Sequence, residues 1–155
     1  MLREGDVFDD IVANVGYMSV EVARRCPGGA VFGFEPQTDL ACKINLSAQL
    51  NSSRNLHVSE VMLGETSGTG KLFLTSHCIH ASVIPRETKA RETTYGITTL
   101  DEQVHSGRLP PPNLIKMEVE GSEWAVCRGA KPVLSTFRPL IVFEADSNMR
   151  DSTTR

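Results

Sequence analysis

Residues 10–16 and the acid that follows the apolar run ending at Phe34 have the clearest chemical meaning in this chain. Residues 10–16 read Asp-Ile-Val-Ala-Asn-Val-Gly, and Phe34 is followed directly by Glu35 and Pro36. An acid at the end of a second parallel strand can accept hydrogen bonds from ribose hydroxyls, beside the loop that follows the first strand. The two segments therefore predict a nucleoside-binding corner in which Glu35 contacts a ribose.

A second group of ionisable residues lies in the segment 114–124. A strand period of two places Lys116, Glu118 and Glu120 on one face if the strand extends that far. Central parallel strands are usually apolar on both faces, and burying charges is costly unless they are paired or reached by water. The cluster therefore favours the mouth of a ligand site. The alternative is a Lys116 to Glu118 ion pair at a solvated strand end.

The elements that must position the corner are predicted by hydrophobic periodicity. The short apolar run at Val7 and Phe8 predicts a first strand. Residues 17–26 show a helical apolar stripe formed by Met18, Val22 and Cys26, and residues 30–34 predict a second buried strand. Strand, helix and strand in this order form a βαβ unit, whose ligands bind beyond the carboxyl ends of the strands.

Further strands and helices are predicted along the rest of the chain. They are a covering helix (39–50), a strand (56–63), an extended piece (71–74), an edge strand from Ile97 that leads into a helix capped near Thr99, a strand from Leu114, a helix capped by Ser122, and a last buried strand (139–144). Residues 76–94 have little periodicity, which predicts a substrate-facing or mobile loop.

Two segments resemble binding motifs without matching them. Residues 64–71 are glycine-rich like a phosphate loop, but Glu65 stands where the first glycine would fall and Leu72 replaces the Ser or Thr. A hairpin turn is the better prediction there. His77 and His80 are spaced like zinc ligands, but a second ligand pair at a usual spacing is missing. No metal site is predicted.

Composition restricts the class of protein. The chain has 155 residues, 40% of them hydrophobic, which suits one domain of about 100 to 200 residues. The formal net charge of -3 provides no basic surface for nucleic acid. No apolar run approaches the roughly 20 residues of a membrane helix, and no leader opens the chain. The sequence therefore predicts a cytoplasmic protein without nucleic-acid or membrane partners.

The order of these motifs resembles that of the FkbM family of methyltransferases, over nearly the whole chain. The segments that carry the resemblance are residues 5–16, 34–36, 63–65, 99–101, 115–123 and 138–140. The resemblance implies a doubly wound, mostly parallel α/β sheet of the Rossmann-like class I methyltransferase type. It also implies S-adenosylmethionine as cofactor and, as acceptor, a hydroxyl group on a small metabolite, sugar or natural product.

The same resemblance implies roles for individual residues in binding the cofactor. Asp10, Asn14 and Gly16 resemble the first-loop contacts to the methionine and adenosyl parts of the cofactor, and Glu35 resembles the ribose ligand. Val12 stands in that loop where the family normally has glycine. A glycine lets the backbone pass close to the cofactor, or adopt a dihedral that β-branched residues avoid. Val12 is therefore expected to crowd the cofactor.

The residues that match the second motif of the family are Lys116, Glu118, Glu120 and Glu123. Methyl transfer from a sulfonium mainly requires alignment of the acceptor oxygen behind the methyl carbon. Glu118 or Glu120 is expected to orient or deprotonate the acceptor hydroxyl, with its pKa raised by burial or held low by Lys116. The family normally has aspartate at the position of Glu118. The extra methylene of glutamate can shift the carboxylate by more than about 1 Å, which is enough to cost on the order of a hundredfold in rate.

The ends of the chain bear on its organisation. A methyltransferase domain is predicted for residues 1–146 and a polar, disordered tail for residues 147–155. The sheet is expected to be trimmed at both ends, and an open sheet edge predicts dimerisation.

Two other functional classes compete with the leading interpretation. One is a catalytically impaired or partner-dependent protein that keeps the fold and binds the cofactor weakly, as Val12 suggests. The other is a nicotinamide dehydrogenase, which needs a glycine-rich pyrophosphate turn, whereas the first loop offers only Gly16.

Overall fold

The computed structural model describes residues 2–74, 81–82, 91–119 and 121–143, and this part of the chain forms two sheets with flanking helices. In chain order the elements are β1 (Val7–Ile11), α1 (Tyr17–Arg25), β2 (Ala30–Phe34), α2 (Thr38–Leu50), β3 (Leu56–Ser59), β4 (Met62–Leu63), β5 (Gly68–Leu74), β6 (Ala81–Ser82), β7 (Arg91–Thr98), α3 (Leu100–His105), β8 (Leu114–Met117), α4 (Glu123–Arg128), α5 (Lys131–Phe137) and β9 (Leu140–Phe143).

The larger sheet is parallel and has the strand order β3-β2-β1-β8-β9. Its central strand β1 pairs with β2 on one side and β8 on the other, so that Asp10 lies opposite both Gly33 and Lys116. The chain progresses to one side of β1 through β2 and β3 and later returns to the other side through β8. In sheets of this kind the ligand crevice opens at that reversal, beyond the carboxyl ends of the strands.

Helices cover both faces of this sheet. Helices α1 and α2 pack on one face, where the side chains of Phe8 and Ile44 are at most 1% exposed. Helices α3, α4 and α5 pack on the other face, where Ile115 of β8 and Val133 of α5 are equally buried. Full burial of such a side chain contributes about 1.5–3 kcal/mol. The predicted doubly wound, mostly parallel α/β sheet is confirmed.

The prediction of one strand over residues 56–63 is wrong, because the segment divides between the two sheets. Its first part is β3, which pairs with β2, and its second part is β4, which pairs with β7 in a smaller sheet of order β4-β7-β5-β6. Alternating hydrophobicity continues across the division, since both parts are half-buried strands. The pattern therefore does not reveal that the strand changes partner.

The glycine-rich segment is not the predicted hairpin turn. Gly68 and Gly70 belong to β5, and β5 pairs with β7 rather than with β4. A side chain at Gly70 would place its Cβ 2.5 Å from Cδ1 of Ile97 on β7. A larger residue at position 70 would therefore require the Ile97 side chain to move. Strand β7 lies between β4 and β5, so it is not the predicted edge strand, and its first residues 91–94 occupy the end of the predicted loop.

Strand β9 is exposed, although its sequence predicts a buried strand. Leu140, Val142 and Phe143 are 67%, 54% and 52% exposed, because β9 is the edge of the larger sheet as described. Four apolar residues are typical of a strand covered on both faces, but their sequence does not specify which strands become edges. Pairing of this edge with a second chain stays a prediction.

Several expectations are not tested by these elements. The predicted domain end at residue 146 and the polar tail 147–155 lie outside the described residues, as do His77 and His80.

Helix α5 has no counterpart among the predicted elements. No helix within the described ranges is both long enough and apolar enough to cross a bilayer.

Candidate functional site

The loop between β1 and α1 follows an unusual backbone path. Val12, Asn14 and Gly16 have φ angles of +59°, +54° and +79°. Glycine adopts this left-handed region without steric cost and asparagine tolerates it, whereas a β-branched residue there is an outlier. Such strain costs about 1–3 kcal/mol. Position 12 therefore has the left-handed dihedral that a glycine there would permit, although the residue is valine.

One backbone hydrogen bond holds this loop against β2, and a second closes the loop on itself. The Ala13 amide donates to the carbonyl of Phe34 at 3.0 Å, and the Gly16 amide donates to the carbonyl of Ala13 at 2.8 Å. A side chain at Gly16 would place its Cβ 2.8 Å from side-chain carbons of Ile44 on α2. The turn is therefore compact and lies close to the second helix.

Glu35 lies at the carboxyl end of β2, where its carboxyl group joins the two loops. Its Oε2 accepts from the Asn14 amide at 2.9 Å, and its Oε1 accepts from the Gln37 amide at 3.0 Å. Burial raises the pKa of Glu35, which is 1% exposed, and the two backbone donors oppose that rise. Both oxygens keep a second lone pair that can accept a hydroxyl hydrogen.

Asp10 lies beneath the loop and is fully buried. Its Oδ2 accepts from the Ser19 hydroxyl at 2.6 Å, and its Oδ1 lies 3.2 Å from Nζ of Lys116. Burial raises the pKa of Asp10, and Lys116 and Ser19 both oppose that rise. The predicted contact of Asp10 with a cofactor stays a prediction, since the observed contacts of its carboxylate are within the protein.

Ser19 is the part of this network that sequence reasoning missed. The buried residues of α1 are Ser19 and Ala23, whereas Met18 of the predicted stripe is 44% exposed, so the predicted stripe is displaced by one position. The available signal was the i, i+4 spacing of two small residues. The sequence of α1 does not show that its small residues face the sheet. This follows only from the packing of α1 on β1, where Ser19 contacts Asp10.

Ser19→Ala is expected to lower the free energy of unfolding by about 1–3 kcal/mol, because a buried carboxylate would lose its hydroxyl donor. Urea unfolding measures this loss. Ser47→Ala, a half-buried position on α2, is the matched control and should leave stability nearly unchanged. Equal stability of the two variants would show that the Ser19 hydroxyl contributes nothing to holding Asp10.

Lys116 lies on β8 with a side chain that is only 16% exposed. Its Nζ donates to the carbonyl of Val12 at 3.0 Å and lies 3.2 Å from Asp10 Oδ1 and 3.3 Å from Glu118 Oε2. The ammonium group is thus shared among a strained backbone carbonyl, a buried carboxylate and an exposed one.

Glu118 follows the last residue of β8, and 56% of its side chain is exposed. The structure thus shows the Lys116 to Glu118 ion pair that the sequence left as the alternative. Because the carboxylate of Glu118 is the exposed partner of this pair, Glu118 is able to turn toward a ligand. Glu120 lies outside the described residues.

Glu123 is a further acid at this edge of the sheet. It begins α4, is 8% exposed, and its Oε1 accepts from the Gly121 amide at 3.2 Å. Its Oε2 makes no hydrogen bond to any described residue. The neighbouring Trp124 is 70% exposed. Sequence reasoning placed Glu123 in the second motif but gave it no role in catalysis or in cofactor binding.

The residues present fit a nucleoside that also carries a carboxylate. Helix α1, which lies wholly within the described residues, has no side-chain cap at Gly16 and no acidic residue in its first turn. Its first N–H groups can therefore bind an anionic group, while Glu35 accepts from hydroxyls on the adjacent strand. Within the described ranges, no group of three or more His, Cys, Asp or Glu could hold a metal ion.

Comparison with known proteins gives consistent matches. Residues 10–154 match the family model of the methyltransferase FkbM domain. The chain is 27% identical over 140 residues to the hexuronic acid methyltransferase AglP of Haloferax volcanii, and the match covers 90% of this chain and 56% of that protein.

Among solved structures, the precorrin-6y C5,15-methyltransferase of Geobacter metallireducens superimposes with a TM-score of 0.55 at 17% identity, covering 93% of this chain and 56% of that chain. At that identity the likeness shows the fold alone. The chain spans 56% of the length of each of these two relatives.

Proposed function

This chain belongs to the methyltransferase FkbM domain family, and from that membership we propose that it binds S-adenosylmethionine and methylates a hydroxyl group of a small, sugar-like acceptor. The observation that carries the proposal is the carboxyl group of Glu35. Backbone amides of Asn14 and Gln37 fix its two oxygens beside the left-handed loop. That arrangement suits an acceptor of ribose hydroxyl hydrogens.

Two parts of the cofactor, the ribose and the amino-acid carboxylate, have a group of this chain that suits them. Glu35 would accept from the ribose hydroxyls, and the uncapped N-terminus of α1 would receive the amino-acid carboxylate. The loop of Val12, Asn14 and Gly16 would pass along the cofactor between these two anchors. When bound, the cofactor supplies an electrophilic methyl group on a sulfonium.

Residues at the end of β8 would serve the acceptor. Glu118 is half-exposed and paired with Lys116, so its carboxylate would accept the hydrogen of an acceptor hydroxyl and orient the oxygen toward the methyl carbon. The predicted role of Glu120 remains part of this proposal. The hexuronic acid methyltransferase relative supports a sugar-type acceptor.

A protein of this fold with weak cofactor binding is the second candidate, and Val12 favours it. Its left-handed dihedral is strained, and its side chain lies in the loop that would approach the cofactor. Both effects would reduce affinity without altering the fold.

Calorimetric titration of S-adenosylmethionine and S-adenosylhomocysteine separates the two candidates. Micromolar binding by the unmodified chain is expected. Val12→Gly should bind about tenfold more tightly, because glycine adopts the left-handed dihedral without strain and removes the crowding side chain. Val15→Gly makes the same chemical change at a residue of the loop outside the left-handed set, so it should give no gain. Absence of binding by folded parent and Val12→Gly protein would contradict the proposed function.

A further inference from the structure

Val12 has the most strained dihedral of the loop, and one side chain holds the carbonyl of this residue. The carbonyl of Val12 accepts from Nζ of Lys116 at 3.0 Å, across 104 residues of chain. In the same peptide the Ala13 amide donates to the carbonyl of Phe34, and in the next peptide the Asn14 amide donates to Glu35 Oε2. Rotation of the first of these peptides would break the Val12 and Ala13 contacts together.

Lys116 is itself firmly anchored. It extends from β8 at the register position opposite Asp10 on the central strand. The Asp10 carboxylate that pairs with it is fully buried and is held from the other side by the Ser19 hydroxyl. Two central strands and a covering helix therefore hold Lys116 in place.

Three oxygens lie within 3.3 Å of the Lys116 ammonium. It donates a hydrogen bond to the Val12 carbonyl and forms ion pairs with the carboxylates of Asp10 and Glu118. This geometry suits holding the first loop against β8 better than acting directly on an acceptor.

We propose that Lys116 is a positioning residue, which clamps the Val12 carbonyl and thereby keeps the strained first loop in the conformation that presents Asn14 and Glu35 to a ligand. The loop can then tolerate valine where glycine would be unstrained. The benefit to cofactor binding rests on the proposed function, whereas the clamping of the loop does not.

Hydrogen exchange followed by NMR tests the clamp without any cofactor. Lys116→Met should accelerate exchange of the Ala13 and Asn14 amides by about tenfold or more, because the valine-containing loop would relax. The Val31 amide, which donates to the carbonyl of Asn55 at 2.9 Å, is the reference within the same sheet. In the Val12→Gly background the same change should accelerate the loop amides by less than about threefold, since glycine keeps the conformation unaided.

If Lys116→Met does not fold because it leaves the Asp10 carboxylate unpaired, Lys116→Met and its Val12→Gly combination are made in the Asp10→Asn background, which lacks that carboxylate. Equal acceleration at Ala13, Asn14 and Val31 would overturn the clamp, because it would indicate general destabilisation. Loop acceleration that is undiminished in the Val12→Gly background would overturn it as well.

Calorimetry with S-adenosylhomocysteine then gives the functional consequence. Lys116→Met is expected to weaken binding about tenfold in the parent and by less than threefold in the Val12→Gly background. Absence of cofactor binding by both the parent and Val12→Gly, together with the expected exchange pattern, would reject the proposed function and leave the clamp standing. Equal loss of affinity in both backgrounds would show that the clamp does not act on the cofactor site.

Discussion

Asp9→Asn is expected to stabilise the protein, and to do so more at pH 8 than at pH 5. Asp9 lies on the central strand β1, is fully buried, and neither of its carboxyl oxygens has a hydrogen-bond partner among the described residues. It lies opposite Phe32 and Ile115 in the neighbouring strands, both apolar. Burial raises its pKa from 3.8 to about 8.

The sign of the pH effect follows from proton uptake. Between pH 4 and pH 8 the Asp9 carboxyl keeps its proton in the folded protein but loses it in the unfolded chain. Each pH unit in that window therefore removes about 1.4 kcal/mol from the free energy of unfolding. The contribution of Asp9 to stability is intact below the unfolded pKa and is lost as the pH rises to the folded pKa.

Asparagine has a similar shape but does not ionise in either state. The gain in unfolding free energy from Asp9→Asn should be about 1–2 kcal/mol at pH 5 and about 5 kcal/mol at pH 8. Urea unfolding at the two pH values measures it. Glu4→Gln, at an exposed acid, is the control and should give no pH-dependent gain. A gain from Asp9→Asn that is equal at both pH values would show that Asp9 does not titrate abnormally.

Glu35→Gln is expected to weaken binding of S-adenosylmethionine about 100-fold. The carboxylate accepts from two backbone amides, and the replacement places an NH2 donor against one of them. The site also loses one acceptor for the ribose hydroxyls. Hydrogen bonds to a charged group contribute about 1.5–3 kcal/mol each, so losing their geometry accounts for an effect of this size.

Calorimetric dissociation constants of the parent and the variant measure this effect. Glu92→Gln is a matched control, because Glu92 is a half-exposed acid of the smaller sheet that pairs with Lys71 at 2.8 Å. It should leave the affinity unchanged. Similar affinities for the two variants, with both folded by circular dichroism, would show that the carboxylate of Glu35 does not bind the cofactor.

The sequence by itself determined the local part of the candidate site. The first strand, the loop, the helix and the second strand with its terminal Glu35 lie within 30 consecutive residues, from Val7 to Pro36. Their apolar periods and breakers therefore suffice to predict them. The same holds for Thr99, whose Oγ1 accepts from the Glu102 amide at 3.0 Å as its predicted capping role requires. Such features depend on neighbours along the chain.

Only the tertiary structure decided which distant groups meet. The contact between Lys116 and the carbonyl of Val12 exists because β8 pairs with β1 in one register, and Ser19 reaches Asp10 because α1 packs with its small residues inward. Likewise, β9 is exposed because of its place in the strand order. Hydrophobic periodicity predicts that a face is buried, but it does not predict which element covers that face. Strand order and register are set by packing between segments that are far apart in sequence.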